Sequence, residues 1–273
     1  MNQFLIAVIL GIVEGITEFL PISSTGHLII VNHFLEFTGQ FANMFDIVIQ
    51  LGAILSVVVY FHKKINPFSR RLTIIEKHNC LILWKRTIAG VIPAIILGAL
   101  FNSFIEKRLF NPITVGIMLI IGGVFLIFIE RHRYASHIRS IQEISYQTAI
   151  FIGLIQCLAM IPGTSRSAAT IIGALLLGCS RAVAVEFSFY LAIPTMICAS
   201  GYSLLKSGLH MSMQQFFVLS TGFVISFVVA LVVIAFFMSY IRKHDFKIFG
   251  WYRIVVGILI LVAFSGVLQL IHL

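Results

Sequence analysis

Charge is the scarcest feature of this sequence. Of 273 residues, 11% are Asp, Glu, Lys or Arg, while 59% are hydrophobic; soluble domains carry about 25% charged residues. So few charges cannot hydrate a folded surface of this size, which excludes a soluble globular enzyme and leaves lipid as the solvent. Cysteine is sparse too. Cys80, Cys157, Cys179 and Cys198 are scattered, with no CxxC pair and no metal-type spacing to histidine. They read as small hydrophobes, not as disulfide partners or zinc ligands. A cleavable signal is not expected either: residues 1–10 lack a basic start, and Glu14 and Glu18 interrupt the apolar run that should follow.

What the sequence does contain is long apolar runs. Its mean hydropathy is +1.04. The stretches 44–61, 87–105, 112–129, 185–205, 215–240 and 251–270 are each long enough to cross a hydrocarbon core of ~30 Å, which takes ~20 helical residues. The net charge of +9 could suggest nucleic acid, but its placement argues against that. Lys63, Lys64, Arg70, Arg71, Lys77, Lys85 and Arg86 fall between two runs. Arg131, Arg133 and Arg139 follow another, Arg181 separates two more, and Arg242, Lys243, Lys247 and Arg253 precede the last. Basic residues confined to alternate loops mark the cytoplasmic side of a multi-pass protein.

Two further regions are apolar but interrupted. Residues 2–20 break at Pro21-Ile22-Ser23-Ser24-Thr25-Gly26, and the piece after, 27–35, is too short to cross. Residues 146–161 break at Pro162-Gly163-Thr164-Ser165-Arg166-Ser167, and 168–178 is again too short. Each pair reads as a re-entrant helical hairpin, a backbone tolerated at depth only where protein or a polar cavity covers it. The expected fold is an all-α polytopic membrane protein, one domain over 1–273. Hairpin plus three transmembrane helices occurs twice, in repeats near 1–131 and 145–273. Three spans reverse the chain, so the second repeat is inserted upside down and the special site falls where the broken helices meet. A weak internal echo agrees: Gly11-Ile12-Val13 leads to Pro21-x-Ser23-Ser24 as Gly153-Leu154-Ile155 leads to Pro162-x-Thr164-Ser165.

Within the apolar zone the ionisable residues read from sequence are Glu14, Glu18, His27 and Arg166. A charge at that depth costs ~2.5–3.5 kcal/mol on insertion scales, so each needs a partner or a role. Glu14 and Glu18 share a helix face and repel unless one is protonated or a cation or Arg166 lies between them; the structural alternative is hydrogen-bonding between helices. Ser23, Ser24, Thr25 and His27 stand at a helix start, where free N–H groups favour an anion. Thr164, Ser165 and Ser167 repeat that arrangement beside Arg166, whose guanidinium matches phosphate oxygens. Capping alone, or neutralisation of a glutamate by Arg166, is the plainer reading of each. Together the set fits phosphoryl chemistry. Small residues such as Gly90, Gly116 and Gly122 suit internal packing or a homodimer seam equally.

The stretch from Glu14 to His27, Glu-Gly-Ile-Thr-Glu-Phe-Leu-Pro-Ile-Ser-Ser-Thr-Gly-His, resembles the first signature of the undecaprenyl-diphosphate phosphatase (bacitracin-resistance phosphatase) family. Pro162-Gly163-Thr164-Ser165-Arg166-Ser167 resembles the second, with Ala168 where the family commonly has glycine. Stretches beginning at Phe45 and Glu186 are also similar, and the likeness runs from about Phe4 into the last span. The resemblance implies hydrolysis of the lipid carrier diphosphate to its monophosphate and inorganic phosphate, recycling the carrier for cell-wall synthesis. It implies a polyprenyl diphosphate substrate, a divalent cation, a bacterial plasma membrane location and a site reached from the extracytoplasmic side; the expected mechanism places that cation, Mg²⁺ or Ca²⁺, on Glu14 and Glu18. Family roles fall on Glu14, Glu18, Ser24, His27 and Arg166.

The expected mechanism makes Ser24 the nucleophile with His27, three residues on, as base; the competing assignment makes His27 the nucleophile and a glutamate the base. Rival functions are an inverted-repeat secondary transporter for an anionic substrate, an intramembrane serine protease, and a lipid-binding structural protein. None of these requires two glutamates, a hydroxyl cluster and Arg166 together.

Overall fold

The computed structural model describes residues 2–70, 72–132, 136–207 and 211–271; Arg71 and Arg133 of the basic loops lie outside them. Helix α1 (Gln3–Thr17) starts at Asn2, whose side chain accepts from Phe4 N–H, and gives way before Pro21. Helix α2 (Ser24–Leu35) ends at Glu36 in the left-handed region, φ 51°. Helices α3 (Gln40–Tyr60) and α4 (His62–Ile65) follow. Helix α5 (Ile74–Leu109) is nucleated by a reciprocal capping pair, Thr73 and Glu76. Helix α6 (Pro112–Arg131) opens with Asn111 as cap and proline in its first turn. Helix α7 (Tyr146–Gln156) continues as a 3₁₀ turn, Cys157–Met160. Helices α8 (Arg166–Leu176), α9 (Arg181–Ser207), α10 (Met213–Tyr240) and α11 (Lys247–Ile271) complete the chain. Among the described residues there is no strand, only a single bridge between Ile138 and Cys179.

The protein is thus an all-α, multi-pass membrane protein. Helices α3, α5, α6, α9, α10 and α11 are long and apolar enough to cross a bilayer. At 15 residues α1 rises only ~22 Å, short of the ~30 Å core, and α2, α7 and α8 are shorter still. The observed spans overrun the expected ones. Helix α5 begins at Ile74 rather than near Thr87, so Lys77, Lys85 and Arg86 are helical. Charge ends the hydrocarbon zone without ending a helix, and the cap at Thr73 sets the start.

The helices interlock in pairs drawn from opposite halves: α1 packs on α10, α5 on α7, α3 on α9, and α6 on α11. Small residues set these seams. A Cβ on Gly11 would lie 2.8 Å from the Gly222 carbonyl, and one on Gly153 would lie 1.7 Å from that of Gly90. Gly116 faces Gly257 in the same way, and Gly122 lies under the Arg253 guanidinium. Gly90, Gly116 and Gly122 therefore serve packing within the chain. The largest buried cluster includes Phe19, Phe61, Phe187, Phe189, Tyr190, Phe237 and Phe246.

Candidate active site

The two chain breaks are built alike. Ser23 caps α2, its Oγ accepting from Gly26 N–H at 3.3 Å; Ser165 caps α8, its Oγ accepting from Ala168 N–H at 3.2 Å. Both serines have positive φ, 74° and 70°. That region disfavours any residue with a Cβ and persists where surrounding structure overdetermines it, commonly at functional sites. The next residue in each case, Ser24 or Arg166, begins the helix, so a hydroxyl and a guanidinium sit at two helix N-termini.

Glu18 joins them. Ser24 Oγ donates to Glu18 Oε2 at 2.6 Å, and Arg166 Nη2 donates to Glu18 Oε1 at 3.2 Å. Arg166 Nη1 also donates to the Ser188 carbonyl at 3.0 Å, while its Nε is buried without a partner. Glu14, one turn earlier, is fully buried, and neither of its carboxylate oxygens has a partner. His27 is engaged elsewhere: its Nδ1 lies 2.8 Å from the Ser23 carbonyl and its Nε2 lies 2.7 Å from the Tyr252 hydroxyl. Helical spacing suggests a Ser24–His27 pair, yet the Ser24 hydroxyl turns back across the break to Glu18.

The second loop's hydroxyls divide between structure and availability. Ser167 Oγ donates to the Leu20 carbonyl at 2.9 Å, tying one loop to the other, and Ser165 and Ser167 share a hydrogen bond of 3.0 Å. Thr164 Oγ1 is buried with no partner, and Thr25 is half-buried.

Arg253 corrects the sequence reading. Counted there among the loop charges that mark the cytoplasmic side, it lies inside α11 and is fully buried. Its guanidinium donates to the carbonyls of Pro21 (3.0 Å), Gly163 (3.1 Å), Thr164 (2.9 Å), Met118 (3.1 Å) and Leu119 (3.3 Å). One side chain thereby satisfies both broken loops. Its neighbour Tyr252 stacks on His27 with centroids 5.7 Å apart and planes 6° from parallel. Charge near a span end gave no sign of this; the only available signal was an aromatic–arginine pair lying inside the last run rather than before it. Glu130 and Glu186 are further buried carboxylates, and Asp46 is half-buried. In the order Asp46, Glu130, Glu186, they pair with Asn32 at 2.7 Å, with Arg181, and with Lys64 (2.7 Å) and Tyr190 (2.6 Å).

Among the described residues no group of three or more His, Cys, Asp or Glu side chains is arranged to hold a metal. A hard cation such as Mg²⁺ needs less, since one or two carboxylates suffice when phosphate oxygens complete its shell. The two unsatisfied oxygens of Glu14 meet that requirement, whereas both Glu18 oxygens are committed to Ser24 and Arg166.

The chain is similar to known proteins over most of its length. The family model described as bacitracin resistance protein BacA matches residues 7–259. Undecaprenyl-diphosphatase 1 of Clostridioides difficile (strain 630) is 51% identical over 260 residues, 94% of this chain and 95% of that protein. The undecaprenyl-diphosphatase of Lactiplantibacillus plantarum (strain ATCC BAA-793 / NCIMB 8826 / WCFS1) is 50% identical over 273 residues, covering 97% and 98%. That of Enterococcus faecalis is 48% identical over 266 residues, covering 95% and 96%.

Proposed function

This chain belongs to the bacitracin resistance protein BacA family, and on that premise we propose that it hydrolyses undecaprenyl diphosphate to the monophosphate and inorganic phosphate, recycling the lipid carrier for cell-wall synthesis. The observation that carries the reading at the site is Glu18, held between Ser24 from one broken segment and Arg166 from the other. Ser24 is the nucleophile. Its oxygen attacks the terminal phosphorus, its proton passes to Glu18 at 2.6 Å, and the anhydride oxygen departs with the lipid monophosphate. Water then attacks the phosphoserine phosphorus, giving its proton to His27, and Glu18 returns its proton to the departing Ser24 oxygen. Arg166 and the N-termini of α2 and α8 hold the phosphate oxygens and meet the charge that develops in transfer. Thr25, Thr164 and the backbone at Ser23, Ser165 and Ser167 complete the cradle. Glu14 would hold a Mg²⁺ or Ca²⁺, which when bound neutralises diphosphate charge.

The two halves form an inverted repeat in this reading. Its support is the matching order of short and long helices, the α1–α10 and α5–α7 seams, and the twin strained serines. The site opens to the extracytoplasmic face of the bacterial plasma membrane, with the basic loops in the cytoplasm. The transporter reading draws no support from relatives that are named as diphosphatases.

Phosphate release from a long-chain prenyl diphosphate by the purified protein in detergent, with and without a chelator, tests the activity. No release from the protein under cation-replete conditions would reject it.

A further inference from the structure

A groove of about 400 Å³ runs between α5 and α9, floored by the 3₁₀ turn after α7. It follows a proline in each wall: Pro93 precedes Ala94, Ile95, Gly98 and Ala99 on α5, and Pro194 precedes Thr195, Cys198, Ala199 and Tyr202 on α9. Proline removes a helical hydrogen bond and bends the helix, and here the small residues beyond each proline leave the space between walls unfilled. Gly98 shows this directly, since a Cβ there would meet nothing nearer than Met160 Cε at 3.7 Å. At its inner end the groove reaches Arg166. Two buried polar atoms there have no partner, Arg166 Nε and Gln156 Oε1, while Gln156 Nε2 donates to Thr195 Oγ1 at 3.3 Å. At its outer end Ile95 and Tyr202 are 48% and 59% exposed on the apolar face of the bundle.

We propose that this groove seats the head-proximal isoprene units of the substrate, so that the diphosphate reaches Arg166 from the lipid between α5 and α9. The inference rests on the phosphatase reading and adds the route by which its substrate is held. An anion at Arg166 continuous with an apolar slot open to lipid calls for an amphiphile with an anionic head and a hydrocarbon chain. The volume accommodates the start of a polyprenyl chain, within the ~300–1,000 Å³ typical of ligand clefts, and leaves the rest in the bilayer. Lipid tails are as apolar as the groove wall, so the groove gains little affinity by hydrophobic transfer. Its contribution is positional: it fixes where the first isoprene units lie and so aims the phosphorus at Ser24.

The test compares two substrates, undecaprenyl diphosphate and the five-carbon dimethylallyl diphosphate, through the ratio of their kcat/KM values. Gly98→Leu fills the slot where space is open. It lowers the ratio of long to short at least tenfold, whereas Val232→Phe, at an exposed apolar position on α10, leaves the ratio as in the parent. An unchanged ratio in Gly98→Leu overturns the groove. A second measurement uses the unmodified protein. Cys198 lines the groove and is exposed, while Cys80 and Cys179 are buried; a non-hydrolysable polyprenyl methylene-diphosphonate slows its alkylation by a maleimide at least tenfold. Equal alkylation with and without that probe also overturns the proposal. A parent protein that hydrolyses neither diphosphate rejects the phosphatase reading instead, so the two failures are distinct.

Discussion

Arg253 and Thr164 are 89 positions apart, and the Nη2 of one donates to the carbonyl of the other at 2.9 Å. The same guanidinium reaches Pro21 in the other broken segment. Backbone carbonyls at a chain break have no helical partner, and lipid cannot supply one. A buried cation that donates to three of them, at Pro21, Gly163 and Thr164, does what water does at a soluble loop, and it fixes the distance between the helix N-termini at Ser24 and Arg166.

Replacing Arg253 by Leu should therefore cost stability before it costs chemistry. Each abandoned buried carbonyl is worth ~1–3 kcal/mol, so a loss of at least ~3 kcal/mol is expected, read as a lower Tm in detergent. Arg253→Lys recovers part of it, because three donors on one atom cannot span both loops. A parental Tm in Arg253→Leu would show the clamp to be dispensable.

Tyr252→Phe removes one hydroxyl and keeps the ring stacked on His27. A carbonyl only accepts, so the bond to Ser23 places a proton on Nδ1, and in the neutral ring that a base requires Nε2 accepts from the Tyr252 hydroxyl. Without that donor the ring loses its fixed tautomer. Turnover should fall about fivefold, in line with a net ~1 kcal/mol bond, with Tm nearly constant, and the ¹⁵N shifts of the His27 ring should move. Parental turnover together with unchanged shifts would remove Tyr252 from the mechanism.

Arg166→Lys keeps the charge and loses the fork that now serves Glu18 and Ser188 together. Turnover should drop ~10²–10³-fold, the scale seen when one donor is removed from a developing oxyanion. Rates within threefold of the parent would mean that a point charge suffices.

Cation dependence should track Glu14. A chelator should stop phosphate release, and Mg²⁺ or Ca²⁺ should restore it. Glu14→Gln should raise the Mg²⁺ concentration needed by at least about tenfold, since one of at most two protein carboxylates is lost. Mn²⁺ binding followed by paramagnetic resonance gives a readout apart from turnover; equal Mn²⁺ affinity in parent and variant excludes Glu14 as the ligand.

Helix seams give a paired test. Gly153→Leu would drive a side chain into the Gly90 carbonyl and should abolish a detergent-stable fold, whereas Gly201→Ala, with nothing within 4 Å of its added carbon, should be neutral. Similar Tm values for both would contradict the α5–α7 packing.

Much of this was legible without coordinates. Run length identified the six spans, and the failure of residues 27–35 and 168–178 to reach ~20 residues marked the broken helices. Glu18, Ser24 and Arg166 were legible because an ionisable or hydroxyl cluster in an apolar run is costly unless it is used. Arg253 was not, because charge near a span end is ordinary at an interface, and nothing in one dimension shows that carbonyls of both broken loops lie within its reach. Ser24's partner was missed for a similar reason: spacing ranks neighbours along a helix, but Glu18 approaches from before the break.

The sequence by itself determined that the chain lives in lipid, how many helices cross it, where two of its helical segments break, and which groups are available for phosphate chemistry, since each follows from composition and length against a fixed hydrocarbon thickness. Tertiary structure alone decided which of those groups meet. Close approach at the glycine seams and satisfaction of orphaned carbonyls by Arg253 depend on pairs of residues far apart in the chain, and burial without water makes those pairings obligatory.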